Sequence, residues 1–260
     1  MSRQVDFGLA TEVYEDVTSR IGTLNLWGFS FAFDAQGNIY VAHASGRVTK
    51  YSPSGMQLQS FVMNFATTPA GFDAIDLGAD QCTLFFTYAL ADGTGRIGRY
   101  NVCRDLALTD IPVVLAPFPH FNGERRGLRV LPDGSLLVTE WSSGRRIDTT
   151  GASLAVYTIP ATVNRQWLAI ALDPTGMEFW VGVDRSITQV ESDLYRVNLI
   201  SGNVTSGPLK VPATGAIRSV AATGEWRAAT AAAVPIPTLS RWLIVTLGAF
   251  VVFIAIRRLA

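Results

Sequence analysis

Charge is scarce in this sequence and balanced in sign. The 260 residues contain 21 Lys and Arg against 21 Asp and Glu, and charged residues make up only 16% of the chain. A net charge of zero leaves no basic surplus to neutralise phosphates, so the sequence predicts no nucleic-acid partner. The hydrophobic share of 48% excludes intrinsic disorder for most of the chain, and the length suffices for one core of about 200 to 250 residues.

Cysteine and histidine are equally scarce, with two of each. Two cysteines cannot complete a four-Cys zinc site, although they permit one disulfide. The sequence also lacks a Gly-x-Ser-x-Gly elbow, a phosphate-binding loop and a Cys/His pair. The common signatures of nucleophilic and phosphoryl-transfer enzymes are therefore missing.

A short turn that ends in Gly is the most regular feature that is present. Alternating apolar residues precede each copy and a β-rich segment follows it, and the copies turn at Gly37, Gly134 and Gly176. A fourth copy, in which residues 74–77 precede the turn and residues 83–86 follow it, lacks the Gly. Each copy predicts two antiparallel strands joined by a tight turn.

A third strand follows each copy and carries a basic residue beside an apolar one. These basic residues are about 47 to 50 residues apart, at Lys50, Arg99, Arg146 and Arg196. That spacing is the length of a four-stranded propeller blade. The fourth strands are predicted at residues 58–62, 106–114, 154–159 and 204–209. We expect the basic side chains to lie on solvated outer strands.

Over residues 28–222 the repeats resemble those of the β-propellers that include NHL-repeat and regucalcin-like proteins. The resemblance implies an all-β fold with four blades, and residues 217–222 resemble the first strand of a partial fifth blade. Ring closure would avoid exposed sheet edges, and the other strands of that blade would come from residues before 28. We therefore expect a propeller domain over residues 28–228, preceded by an N-terminal segment, residues 1–27, and we expect this segment to be truncated.

The predicted strands also place the two cysteines. Cys82 opens a second strand and Cys103 follows the third, so a hairpin that turns near Asp92 and Gly93 brings them opposite each other. We expect a disulfide, which would persist only in an oxidising compartment such as the periplasm. Two unpaired buried cysteines are the alternative.

In the propellers that these repeats resemble, ligands usually bind where the second strand of each blade ends, close to the central channel. The corresponding residues are His43, Tyr88, Glu140, Trp141 and Asp184. Loops that enter the first strands add residues 118–122, 124–126 and 164–167 to the same face. Aromatic side chains mixed with Arg, Asn and carboxylates suit an unknown polar ligand, such as a sugar or a peptide, or a surface partner. The alternative is a polar rim without a dedicated ligand.

Two enzymatic alternatives follow from the same resemblance. A regucalcin-like lactonase would hold a divalent metal with carboxylate and Asn ligands, but Glu140, Asp184 and Asn122 form no recognisable set. A lyase of the streptogramin-lyase type would use a His as proton carrier, for which His43 and His120 are the candidates. We expect a binding module with no metal, no cofactor and no catalytic residue. An exported hydrolase or lyase is the alternative, and a structural matrix protein is a third.

The C-terminal segment predicts a membrane anchor. Residues 229–241 form a linker, and an uncharged apolar run over residues 242–256 precedes Arg257 and Arg258. At 1.5 Å per residue about fifteen residues span roughly 22 Å, which is short of a bilayer core but compatible with a short transmembrane helix over residues 242–260. The Arg pair would stop translocation and stay in the cytoplasm. A core or docking helix is the alternative.

The same segment resembles the IPTL-CTERM sorting tail, a relative of the PEP-CTERM signals that exosortases read. The resemblance rests on a motif, a short apolar helix and a basic end, and the motif residues are Ile236, Pro237, Thr238, Leu239, Ser240 and Trp242. Arg241 and Leu243 depart from the residues that are usual beside the Trp. The resemblance implies a Gram-negative bacterium and export of the chain across the inner membrane. It also implies transient anchoring with the propeller in the periplasm. An exosortase-type enzyme would then cleave the chain, which would end on the cell surface or outside the cell. The first residues contain no apolar segment of signal-peptide length, so we expect the native start to lie further upstream.

Overall fold

The computed structural model describes residues 28–43, 46–63, 71–117, 126–162, 165–184 and 191–212. The chain divides into two units, Met1–Ala228 and Ala229–Ala260, and every described residue lies in the first. Among these residues no helix is long and apolar enough to cross a membrane. The predicted fifth-blade strand, sorting motif and membrane helix lie outside the described residues, as does the segment before Gly28.

The described residues form sixteen strands in four antiparallel sheets of four, which we number as blades 1 to 4. Blade 1 contains β1 (Gly28–Phe33), β2 (Ile39–His43), β3 (Arg47–Tyr51) and β4 (Gln57–Val62). Blade 2 contains β5 (Gly71–Leu77), β6 (Thr83–Ala89), β7 (Gly95–Asn101) and β8 (Leu106–Leu115). Blade 3 contains β9 (Leu128–Val130), β10 (Leu136–Thr139), β11 (Gly144–Ile147) and β12 (Ser153–Tyr157). Blade 4 contains β13 (Gln166–Leu172), β14 (Glu178–Asp184), β15 (Glu191–Asn198) and β16 (Val204–Pro212).

The four sheets follow one another in a propeller arrangement. Within each sheet the strands pair in chain order, and the first strands of successive blades contact one another: β1 with β5, β5 with β9 and β9 with β13. The first strands are therefore innermost and the fourth strands form the outer edges. The predicted all-β class and the four blades are confirmed.

The turns between strands explain why the repeat is visible in the sequence. Gly37, Gly134 and Gly176 have φ angles of +79°, +81° and +68°, a conformation that costs glycine least. In blade 2, where the sequence lacks this Gly, Gln81 adopts a φ of +56°. Its side chain accepts a hydrogen bond from the backbone N–H of Ala35 at 2.7 Å, which contributes to holding the turn.

The core consists of apolar layers between neighbouring blades. Tyr40 and Phe61 of blade 1 pack with Phe86 of blade 2, and all three are almost fully buried. Comparable layers lie between blades 2 and 3 and between blades 3 and 4, the latter around the buried Trp167. Because strand residues alternate between the two faces of a sheet, each blade uses one face for each neighbour.

The basic residues of the third strands differ from our prediction of solvated side chains. Lys50 lies 3.0 Å from the Asp34 carboxylate, which is 2% exposed, and Arg146 and Arg196 pair in the same way with Asp133 and Asp173. Each acidic partner belongs to the turn between the first two strands of the same blade. The side chains of the three basic residues are only 22%, 25% and 33% exposed. In three of the four blades the repeat therefore contains an ion pair that ties the turn to the third strand. In blade 2, Arg99 instead donates to the Thr109 carbonyl at 2.7 Å.

Cys82 and Cys103 are joined by a disulfide, with a Cα–Cα distance of 5.2 Å. Cys82 directly precedes β6 and Cys103 follows β7, and the backbone N–H of Val102 donates to the Cys82 carbonyl at 2.8 Å. The bond links the second and third strands of blade 2 at the end of the propeller that carries the glycine turns.

Candidate functional site

The two ends of the propeller differ in the polarity of their buried side chains. We use the term mouth face for the end at which the first strands begin and the second strands finish, and turn face for the end that carries the glycine turns. Buried polar side chains are more numerous at or next to the mouth face, in all four blades, than at the turn face, where Asp34, Ser135 and Asp173 are buried. Those at the mouth face are His43, Thr49, Asp73, Thr87, Arg126, Thr139, Gln166, Asp184, Ser192 and Asp193. Burial of a polar group costs free energy unless the group forms a hydrogen bond or an ion pair. The interaction partners of these side chains therefore determine the role of this face.

His43 ends β2 and is 2% exposed. Its Nε2 atom lies 3.1 Å from the Thr49 hydroxyl, whereas the buried Nδ1 atom has no hydrogen-bond partner within the described part of the chain. Burial, together with the positive charge of Arg47, lowers the pKa of His43. The imidazole is therefore held in its neutral form.

Tyr88 lies one residue before the end of β6. Its ring belongs to the apolar layer between blades 1 and 2, and its hydroxyl donates to the Asp110 carboxylate on the outer strand β8 at 2.5 Å. Burial and this carboxylate raise the pKa of Tyr88. The side chain is therefore tied to the outer strand of its own blade.

Glu140 follows β10 and lies close to the interface between blades 2 and 3. Its Oε1 atom accepts hydrogen bonds from the Ala116 backbone at 3.0 Å and from the Arg145 guanidinium at 2.7 Å. Arg145 also donates to the Val114 carbonyl at 3.0 Å. Glu140 and Arg145 therefore attach blade 3 to the end of β8, and Glu140 is committed to a structural contact.

Arg126 enters blade 3 with a side chain that is fully buried. It donates to the carbonyls of Gly93 at 3.1 Å and Ala116 at 2.8 Å, and its Nη1 atom is 3.6 Å from the Asp73 carboxylate. The guanidinium lies directly over Gly95, where an added Cβ would be 2.5 Å from the Arg126 Cζ atom. Burial lowers the pKa of Arg126, and the nearby carboxylates of Asp73 and Glu140 oppose that shift.

Trp141 follows Glu140 and is partly buried. Its carbonyl accepts a hydrogen bond from the Trp167 backbone at 2.9 Å, which joins blades 3 and 4 at the mouth face. Trp167 is fully buried, and its indole N–H donates to the Thr162 hydroxyl at 3.0 Å. Of the predicted site residues, Trp141 has the clearest combination of an aromatic ring, partial exposure and a position at the mouth.

Asp184 ends β14 and is 9% exposed. Arg165 donates to the Asp184 carbonyl at 3.2 Å and to the Asp193 carboxylate at 2.8 Å, so it clamps the ends of β14 and β15 together. Gln166 lies directly opposite Asp184 in the register of the sheet. These residues place two carboxylates, a guanidinium and an amide at the mouth of blade 4.

The structure brings the predicted residues to one end of the propeller but not into a single cluster. No group of three or more His, Cys, Asp or Glu side chains within the described ranges could hold a metal ion. The other candidates from the sequence, Asn122 and His120, lie outside the described residues.

Four further residues of this face were not predicted from the sequence: Asp73, Arg145, Ser192 and Asp193. Asp73 occurs within apolar strand sequence, and an acidic residue in such a strand is the available signal, because it must find a cationic partner once it is buried. Asp193 follows Glu191 and Ser192 and gives no such signal. Arg145 stands beside Arg146 in the sequence, and only the fold separates their roles.

No protein-family model and no curated protein matches this sequence. Its fold is similar to that of a Bacteroides caccae protein of unknown function, with 14% identity and a TM-score of 0.50 over 72% of this chain and 61% of that chain. A weaker similarity, with 13% identity and a TM-score of 0.45, is to the extracellular domain of a hybrid two-component system from B. thetaiotaomicron, over 74% of this chain and 24% of that chain. This chain thus spans about three fifths of the first structure. The similarity concerns the fold alone, and with the four blades it defines the chain as a β-propeller.

Proposed function

We propose that this β-propeller is an exported binding or interaction module of the cell envelope or cell surface, with its ligand at the mouth face. The concentration of buried polar side chains at that face is the observation that carries the proposal. A polar ligand suits this face, because polar groups that are buried there need polar partners. The ring would be completed by NHL-type strands of a fifth blade that includes residues 217–222.

Two features support export. The Cys82–Cys103 disulfide suits an oxidising compartment, because thiols stay reduced in the cytosol. The sequence from Ile236 to Arg258 has the order of a sorting tail. In this proposal residues 242–260 anchor the chain in the inner membrane with the propeller in the periplasm, and an exosortase-type enzyme then releases it to the surface or the medium.

Binding is tested by replacing an aromatic side chain at the mouth face. The purified propeller is applied to an array of neutral oligosaccharides, uronic-acid oligosaccharides, and acidic and basic peptides. We expect Trp141→Ala to weaken binding to the retained probe by about tenfold, the equivalent of about 1.4 kcal/mol. Gln36→Ala, an exposed change on the turn face, is the control that should leave binding unchanged. Equal loss from both changes would place the ligand elsewhere, and retention of no probe would contradict a binding function.

Export is tested by fractionation of a Gram-negative host that lacks the processing enzyme. The full-length chain, expressed behind a signal peptide, should remain in the inner membrane, and a chain truncated after Ala233 should be soluble in the periplasm. Partition of the full-length chain into the aqueous phase without detergent would contradict the anchor and the sorting tail together.

A further inference from the structure

Blade 2 differs from the other blades in how its first turn is tied to its third strand. In blades 1, 3 and 4 that tie is an ion pair between a turn carboxylate and a basic residue of the third strand. In blade 2 the corresponding Arg99 donates to the Thr109 carbonyl of the outer strand. The disulfide joins Cys82, at the end of the turn, to Cys103, which follows β7. A covalent bond that can be reduced therefore takes the place of the ion pair.

The turn of blade 2 also has the less favourable backbone conformation. Gln81 adopts a φ of +56° at the position where the turns of the other three blades have glycine. This conformation costs a residue with a side chain about 1–2 kcal/mol, so neighbouring contacts must hold it. Cys82 is the next residue, and its backbone N–H donates to the Asp80 carboxylate at 3.0 Å. The disulfide therefore fixes the chain directly beside a strained residue.

Gln81 also joins this turn to blade 1. Its Oε1 atom accepts a hydrogen bond from the backbone N–H of Ala35, which lies in the turn between β1 and β2. Its Nε2 atom donates to the Gly78 carbonyl at 3.1 Å, which orients the side-chain amide. Because this side chain extends from a backbone that the disulfide helps to hold, loss of the disulfide should weaken the contact with blade 1.

The disulfide lies where a reductant can reach it. Cys103 is exposed and Cys82 is half-buried. Leu84 and Val102, in contrast, belong to the buried apolar layer between blades 1 and 2. Reduction should therefore release the turn while the apolar layer beside it stays packed.

We propose that the Cys82–Cys103 disulfide is a redox-sensitive latch on the contact between the turns of blades 1 and 2. In the oxidised state the Gln81 side chain holds the backbone of Ala35. In the reduced state the turn of blade 2 separates from the turn of blade 1, and the four blades stay folded. The inference goes beyond the proposed binding function and depends on no ligand.

A dithiol is the reductant that opens the latch. Its first thiolate attacks one sulfur of the disulfide and forms a mixed disulfide, and the other cysteine leaves as a thiolate that takes up a proton. The second thiol of the reductant then breaks the mixed disulfide. Two electrons and two protons pass to the protein, and the products are two cysteine thiols and the oxidised, cyclic form of the dithiol. The latch is therefore closed in an oxidising compartment and open where dithiols keep thiols reduced.

The test compares amide hydrogen exchange in the oxidised full-length chain with exchange in the same chain kept reduced by dithiothreitol. The reporters are the amides of Ala35 and Gln81, and the reference is the Gly176 amide, which donates to the Asp173 carbonyl in the turn of blade 4. We expect reduction to accelerate exchange at Ala35 and Gln81 about tenfold or more. Gly176 should be unaffected, because turn amides exchange through local opening. Reoxidation should restore the original rates.

Three variants make the assignment specific. The double change Cys82→Ser and Cys103→Ser should exchange rapidly at Ala35 without reductant and should not respond to it. Gln81→Gly suits the positive φ but lacks the side-chain acceptor, so exchange at Ala35 should be rapid in both redox states. Gln36→Ala, an exposed change in the turn of blade 1, is the matched control and should respond as the wild type does.

Four results overturn the inference. Unchanged exchange at Ala35 after reduction shows that the contact between the turns does not depend on the disulfide. Equal acceleration at Ala35, Gln81 and Gly176 shows that the bond supports the whole fold and is not a local latch. A disulfide that resists dithiothreitol contradicts its accessibility. Rates that do not return on reoxidation contradict a reversible device.

Discussion

The buried Arg126 allows a quantitative test of how blades 2 and 3 are joined. Replacement by Met keeps much of the side-chain volume but removes the charge beside Asp73 and the hydrogen bonds to the carbonyls of Gly93 and Ala116. Breaking a buried ion pair from one side costs about 3–5 kcal/mol, because the remaining charge stays buried. We therefore expect Arg126→Met to lower the free energy of unfolding by about 3–5 kcal/mol, a large part of the roughly 5–15 kcal/mol typical of a domain.

The assay is urea-induced unfolding followed by circular dichroism. Arg104→Met is the control, because Arg104 is exposed, and it should change the free energy of unfolding by less than about 0.5 kcal/mol. Adding Asp73→Asn to Arg126→Met removes the uncompensated carboxylate and should recover about 1–3 kcal/mol. A double variant that is no more stable than Arg126→Met would contradict the ion pair with Asp73. A variant Arg126→Met that behaves like Arg104→Met would show that Arg126 does not join the two blades.

Gly95 provides a second arm of the same test. A Cβ at this position would lie 2.5 Å from the Arg126 Cζ atom. Gly95→Ala should therefore cost about 1–3 kcal/mol in the wild type, as overpacking does. In the Arg126→Met background the flexible Met can move aside, so the same change should cost less. Equal costs in both backgrounds would show that the guanidinium does not determine the need for glycine.

The remaining predictions concern the disulfide, a buried histidine and the ion pair of the repeat. The double change Cys82→Ser and Cys103→Ser opens a loop with a sequence separation of 21. It should lower the free energy of unfolding, measured in urea, by about 3 kcal/mol. A reductant should destabilise the wild type and leave the double variant unaffected. Burial lowers the pKa of His43 below its ordinary value of 6.5, so the unfolded chain binds the proton more readily than the folded chain. The free energy of unfolding should therefore fall as the pH drops through 6.5. His43→Gln should weaken this pH dependence between pH 7.5 and 5.5, and an unchanged slope would contradict the prediction. Burial opposes ionisation of Asp34, but its hydrogen bonds and the Lys50 charge outweigh burial and lower the pKa of Asp34. Lys50→Met should therefore lower the free energy of unfolding by about 1–2 kcal/mol at pH 7. The loss should be smaller below the ordinary carboxyl pKa, and urea midpoints at the two pH values measure the difference.

Much of the fold is encoded locally and could be predicted from the sequence. The alternation of apolar residues located all four blades and glycine turns marked three of them, because a two-residue period and a positive φ are properties of a few adjacent residues. The pairing of Cys82 with Cys103 followed from the same hairpin, since the antiparallel register brings the ends of β6 and β7 together. The copy without glycine could also be recognised from its apolar strands. Its turn contains Gln81 at a positive φ, and the Gln81 side chain accepts a hydrogen bond from Ala35 of blade 1, which the sequence does not show.

The surroundings of the site were decided by contacts between residues far apart in the chain. Arg126 has the sequence context of a solvated loop residue, yet it is buried because Gly95, 31 residues earlier, has no side chain to exclude it. Tyr88 lies one residue before the end of β6, whereas Asp184 ends β14 and Glu140 follows β10, so its ring lies in the core layer between blades 1 and 2. Local patterns therefore determined the strands, the turns and the disulfide. Which polar side chains are buried, and which partners satisfy them, was decided only when neighbouring blades packed together, because desolvation and pairing depend on both surfaces at once.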